Sequence, residues 1–302
     1  MEMIEKIRKL PDTLQTFGKR SKNLFPPIAK DCIYRLLINK ITWIVVAILL
    51  LPCALGVVIY FQTDEERQVQ ESNGEKIYYD EDGDLIHEDA REEFLNIFDL
   101  FVISFVAIIM AIIFSSELIN EEFENKTMQL LRTTPIHPFE IILYRYLAGV
   151  ISMFGILSLN AIIFYYTVMM SSGMHGILEN LDVLLMVLKI LLFESLAFIA
   201  IFCVFTTYLE KPYLVGILYW IVWESFVSTQ NYQQLTITHY LNSMLFDSTK
   251  AMGWDVEASD FNLANSNEQI IATEPFTAML VIASVAILSL ILASRGIANR
   301  QF

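Results

Sequence analysis

The chain has 302 residues, 55% of them hydrophobic and 18% charged, with a formal net charge of −14. Its mean hydropathy of +0.50 excludes an ordinary soluble domain, because the apolar residues fall in blocks long enough to cross a bilayer. The acidity is unevenly placed and argues against a nucleic-acid partner, while Cys32, Cys53 and Cys203 lack CxxC or metal-ligand spacing and read as buried free thiols.

Residues 1–40 carry nine Lys/Arg against four Asp/Glu and hold no compact apolar core with a cleavage site. Residues 1–24 read as a basic cytoplasmic segment, and insertion falls to the first span. Pro26 and Pro27 suit a first helical turn, where a missing amide costs little. Ile28, Cys32, Arg35/Leu36 and Asn39 follow at helical spacing, with Lys30 and Lys40 within reach of headgroups. Residues 25–40 are thus predicted to form an interfacial helix lying in the membrane plane.

Six spans are predicted at 41–61, 97–114, 141–169, 181–208, 213–227 and 276–292. The fifth is short and contains Glu224, so a re-entrant Tyr213–Val227 with five full spans is the competing topology. Lys126 and Arg132 between spans two and three, Arg145 near the start of span three, and Arg295 and Arg300 after the last, mark the cytoplasmic side. Both termini are therefore expected inside, in the cell membrane. The acidic loop 62–95, with thirteen Asp/Glu against three Lys/Arg, then faces out. So does segment 230–275. Within the first of these, Ile77–Ile86 around Asp82-Gly83 predicts a small hairpin. Asp80, Asp82 and Asp84 resemble the start of a calcium loop, but Gly83 and Arg91 fall at positions that do not fit one.

The connector between spans two and three is the most informative stretch. The run Leu100–Phe114 gives way to Ser115-Ser116-Glu117-Leu118-Ile119-Asn120-Glu121-Glu122-Phe123-Glu124-Asn125-Lys126-Thr127-Met128-Gln129-Leu130-Leu131-Arg132-Thr133-Thr134-Pro135-Ile136. In a helix over Glu117–Leu131, Ile119, Phe123, Thr127 and Leu130 share one face. Asn125-Lys126-Thr127 is also a formal glycosylation sequon, but its inside placement argues against modification. Glu122, Thr127, Leu130, Leu131, Thr133, Pro135 and Ile136 fill an E-x-x-x-x-T-x-x-L-L-x-T-x-P-I pattern. That pattern resembles the cytoplasmic connector of ABC-2 type ABC transporter permeases.

The resemblance covers essentially residues 25–302. It implies an all-α integral membrane protein: a six-span helical bundle with an N-terminal interfacial elbow helix, a cytoplasmic coupling helix and outer re-entrant helices. His239–Leu245 is a candidate for one of the re-entrant helices. It further implies docking on an ABC ATP-binding subunit, in two copies, through Glu117, Glu121, Glu122, Glu124, Asn125, Thr127, Met128, Leu131, Thr134 and Pro135. A second permease subunit, in a homodimer, and membrane lipid complete the implied partners, with loop 62–95 offering room for an external one.

The chain lacks the G-x-x-x-x-G-K-[ST] loop that cradles nucleotide phosphates. Its four histidines are scattered and make no catalytic or metal constellation. It is expected to be no enzyme and to bind no cofactor or metal, with ATP and Mg2+ held by the partner ATPase. Ionisable groups inside spans are costly and face a partner or cavity, which singles out Lys189, Glu194 and Glu224. At 1.5 Å per residue, Lys189 and Glu224 fall at similar depth, roughly 12 Å and 17 Å from opposite faces. They are candidates for a contact, or else Lys189 snorkels outward. Glu194 and Asn160 are candidates for a translocation path. Tyr165, Tyr166, Tyr208, Tyr219, Trp220 and Trp223 read mainly as packing or interface residues.

Two functions fit these features. One is the permease subunit of an ATP-driven exporter. The other is a non-transporting scaffold that relays ATPase motion to the outer loops. A secondary transporter ranks below both, because no internal repeat or pair of broken helices is evident.

Overall fold

The computed structural model describes residues 29–65, 68–72, 75–79, 91, 94–124, 138–170, 177, 178, 180–227, 232–254, 261, 263 and 271–299. The described chain is helical apart from one hairpin. Helix α1 (Ala29–Ile38) meets α2 (Lys40–Glu65) at a bend of 66°. Asn39 makes that corner, its Oδ1 accepting the Ile41 amide at 2.9 Å as a helix N-cap does. Of the helix expected over residues 25–40, Ala29–Ile38 is helical, and residues 25–28 lie outside the described residues.

The hairpin pairs β1 (Gln68–Ser72) with β2 (Glu75–Tyr79), antiparallel, with Val69 opposite Tyr78 and Ser72 opposite Glu75. Of the hairpin expected over Ile77–Ile86, Ile77–Tyr79 belong to β2 and pair with β1, and residues 80–86 lie outside the described residues.

The bundle follows. Helix α3 (residues 94–124) is π-helical over Phe98–Val106 and α-helical over Ala107–Glu124. Helix α4 is Pro138–Met169 and α5 is Leu181–Tyr208. Helix α6 (Pro212–Tyr219), with Pro212 in its first turn, continues as a π-helix over Trp220–Phe226. Helix α7 is Ile237–Ala251 and α8 is Pro275–Asn299. Four of these are long and apolar enough to cross a membrane: Phe94–Ile119, Phe139–Met169, Leu181–Tyr208 and Pro275–Ile297. The bent α1–α2 pair makes a fifth if taken as one span. The combined α6 helix of eight and seven residues reaches about 22 Å, short of a ~30 Å hydrocarbon core. All six predicted segments are helical, while full-span length is met by four or five.

Helix α5 is the central pole, packed against α3, α4, α6, α7 and α8. Lipid tails are as apolar as leucine, so helices associate here through close packing and interhelical hydrogen bonds. Gly216 on α6 allows such an approach: a Cβ there would lie 2.9 Å from two carbons of the branched Ile112 on α3. Tyr146 of α4 donates to the Leu196 carbonyl at 3.0 Å, and Tyr208 of α5 to the Leu292 carbonyl at 3.1 Å. The outer faces carry exposed Trp43, Ile44, Leu185, Leu214, Leu218, Ile287 and Leu288, which is ordinary where the solvent is lipid. The three cysteines are buried, and none is in a disulfide.

Candidate functional site

At one end of the bundle, α3 leaves the core and α4, α6 and α8 have their nearby termini. Helix α3 does not break at Ser115-Ser116, where the sequence predicts a change from span to separate helix. Ser115 Oγ donates back to the Ile112 carbonyl at 3.1 Å, which keeps a hydroxyl within the helix. Ser115, Ser116, Leu118 and Ile119 are all buried. The helix therefore runs on from the span into the connector without a break as far as Glu124.

Two neighbours grip this helix where it emerges. The buried Arg145 of α4 donates from Nη1 to the Leu118 carbonyl at 2.6 Å. The Tyr213 hydroxyl of α6 donates to Glu117 Oε1 at 3.2 Å. A Cβ on Gly149, one turn beyond Arg145, would lie 2.6 Å from the Leu118 side chain and 3.3 Å from Ile199 of α5. Three helices thus meet α3 at one level. Of the predicted docking residues, Glu117 lies in this clamp. Glu121, Glu122 and Glu124 continue the same helix. Asn125, Thr127, Met128, Leu131, Thr134 and Pro135 lie outside the described residues.

At the other end, α6 and α7 are locked together around Glu224. Its carboxylate accepts from the Tyr219 hydroxyl at 2.6 Å, the Thr238 amide at 3.1 Å, the Thr238 hydroxyl at 2.8 Å and the Ile237 amide at 3.3 Å. The expected Lys189–Glu224 contact is therefore not made. Lys189 is exposed, and no ion pair joins the two. A carboxylate at the first amides of a helix satisfies donors that have no intrahelical partner and complements the helix dipole; α7 supplies those amides, so a lysine is not needed. Thr236 caps the same helix, its Oγ1 accepting the His239 amide at 3.3 Å. His239 is buried, with Nε2 3.1 Å from Thr273 Oγ1. Burial holds its imidazole down from its ordinary 6.5 to about 4.

The remaining candidates separate. Asn160 donates from Nδ2 to the Leu49 carbonyl at 2.6 Å, beside the turn of α2 that Pro52 interrupts. Proline removes an amide there, and neighbouring helices commonly serve the backbone groups it disturbs. Asn160 thus staples α4 to α2. Glu194 faces the bundle interior, fully buried, and neither carboxyl oxygen has a hydrogen-bond partner. Of the aromatics, Tyr165 is buried and donates to the Ile177 carbonyl at 2.7 Å. Trp223 donates to the Leu235 carbonyl at 3.1 Å, so both act as packing and anchoring groups. The sequence reading missed Asp99, Arg145 and Tyr213 as structural participants. Asp99 was visible as an acid inside the apolar run Ile97-Phe98-Asp99-Leu100; nothing local marked the other two.

A helical bundle with several apolar spans, an apolar exterior and Glu194 and Glu224 buried inside it defines a multi-pass membrane protein. Residues 27–219, well over half the chain and including the whole connector, match the model of the ABC-2 family transporter proteins. The chain belongs to that family. Among curated proteins none matches. Family membership brings with it, in general, an ABC ATPase as partner.

Proposed function

We propose that this chain is the permease subunit of an ATP-driven ABC exporter, working as a homodimer above two copies of an ATP-binding subunit. The supporting observation is the unbroken α3 helix. A displacement of its end at residues 120–124 meets no break in the helix between Ala107 and Glu124, and Arg145 and Tyr213 tie that helix to its neighbours. Motion of an ATPase against the connector is passed to α4, α5 and α6 together.

In this reading α1 is the elbow helix along the inner interface, α2 the first span and α6 a shortened fifth span. Helix α7 is an outer re-entrant helix, and both termini are cytoplasmic. Irregular or short helices at membrane depth are tolerated where protein surrounds them, and α6 and α7 cover each other. ATP and Mg2+ are held by the partner, and residues 117–136 form the docking surface. A relay without transport is the second reading, favoured by the hairpin into which α2 leads and by the acidic loop around it.

Affinity purification in mild detergent tests the assignment. A specific ATPase should co-purify, and charge reversal at Glu121 and Glu124 should release it or abolish ATPase stimulation. Unchanged assembly and stimulation after those changes combined with Met128→Asp would remove the connector from its proposed role. ATP-dependent loss of substrate from vesicles separates export from relay.

A further inference from the structure

Glu194 is the least provided-for polar group in the described bundle. It is 0% exposed and both its oxygens lack a hydrogen-bond partner. Its electrostatic neighbours are two more carboxyls, Asp99 of α3 and Glu224 of α6. Glu224 is already engaged by four donors, whereas Asp99 keeps a buried Oδ1 with no partner. Both neighbours sit in π-helical stretches, Phe98–Val106 and Trp220–Phe226, a rare widening of the helix that recurs at functional sites. Trp220 Nε1 ties these stretches together by donating to the Ser104 carbonyl at 3.0 Å.

Among the described residues no cation pairs with the group, and Lys250 of α7 is exposed over the Phe246 ring. Among the other titratable residues on helices packed against α5, Arg145 and Glu117 belong to the clamp at the far end, and Arg295 is exposed near the end of α8. Glu140 and Tyr146 lie on α4, Tyr146 bonded to the Leu196 carbonyl. Tyr219 is bonded to Glu224, and His239 of α7 to Thr273. On α5 itself Lys189 is exposed, and Asp182 lies in the first turn. Among the described residues no three His, Cys, Asp or Glu side chains are placed to hold a metal ion. A lone carboxylate in apolar surroundings is so costly that such groups neutralise. A proton does this with one lone pair and no coordination shell.

We propose that Glu194 is a proton-binding site inside the bundle, at which one carboxylate oxygen takes up and gives back a single proton. Acid and carboxylate are the two states of the site, and the proton's counterpart is water. The site does not depend on the export reading, and it is tested in the purified full chain with no ATPase present. In infrared spectra of that chain in lipid nanodiscs, wild type should show the carbonyl stretch of a buried carboxylic acid. The band should disappear as pH rises and be absent in Glu194→Gln. Asp99→Asn should shift its pH midpoint downward, because a neighbouring negative charge is removed; a purely structural Asp99 would leave the midpoint in place. Size-exclusion chromatography checks that both variants are folded, and the Asp99→Asn arm stands alone if Glu194→Gln is not. The proposal is overturned if folded wild type and Glu194→Gln give the same acid band, or if Asp99→Asn leaves the midpoint unmoved. It also fails if sodium at constant pH bleaches the band, which would assign the site to a metal ion.

Discussion

Glu224 and Glu194 are both glutamates buried in the same bundle, yet their surroundings are opposite. Glu224 stands where one helix ends and another begins, and two backbone amides, a threonine hydroxyl and a tyrosine hydroxyl converge on it. Glu194 stands in the middle of α5, where every amide is already spent within the helix, and it receives nothing. Burial therefore does not decide what a carboxyl does; the supply of unpaired donors does. Near a helix start an acid is a structural fastener, and far from one it is a group waiting for a ligand.

Substituting both residues puts this contrast at its sharpest. Glu224→Leu leaves the Tyr219 hydroxyl and the first amides of α7 without their acceptor, at an expected cost of about 3 kcal/mol. Glu194→Met removes only unsatisfied atoms and should raise stability by about 1 kcal/mol. Thermal unfolding in detergent reads both, and equal losses for the two would erase the distinction. Acidification probes the same fastened end through His239, whose neutral imidazole is the form the fold accepts. Because its folded value lies below its ordinary one, the stabilisation is complete above about 6.5 and drains away as pH falls toward about 4. Opening of α7, followed by amide hydrogen exchange, should increase across that window, and His239→Gln should flatten the response. The smallest effect belongs to the cap: Thr236→Ala should cost about 1 kcal/mol. Faster exchange should be confined to the first turn of α7, and exchange spread through α5 would contradict the local role.

Much of this protein was legible from its residue order. Leu181–Tyr208 has the same bounds in the sequence reading and in the structure, because a buried run of that length has one economical conformation in lipid. The acidic stretch after span two was visibly a helix, although its fusion with the span was hidden: two serines look like an interruption until their hydroxyls fold back onto the helix. Of the hairpin expected over Ile77–Ile86 only Ile77–Tyr79 fall among the described residues, and they form a strand with Gln68–Gln70, a partner that the Asp82-Gly83 signal did not point to. The Lys189–Glu224 contact failed for a different reason. Counting residues along two spans estimates depth, but it carries no information about azimuth or about donors arriving from a third helix.

The chain's order of apolar and charged residues determined by itself that this is a multi-pass helical membrane protein, and its connector pattern pointed to the family to which it belongs. These are properties of hydrophobicity and of local spacing, which act within one segment. What Glu117, Arg145 and Tyr213 do together, and why Glu224 is held while Glu194 is bare, only the tertiary structure decided. Each depends on which helix end lies beside which side chain, and hydrogen-bond donors at a helix start reach only about 3 Å.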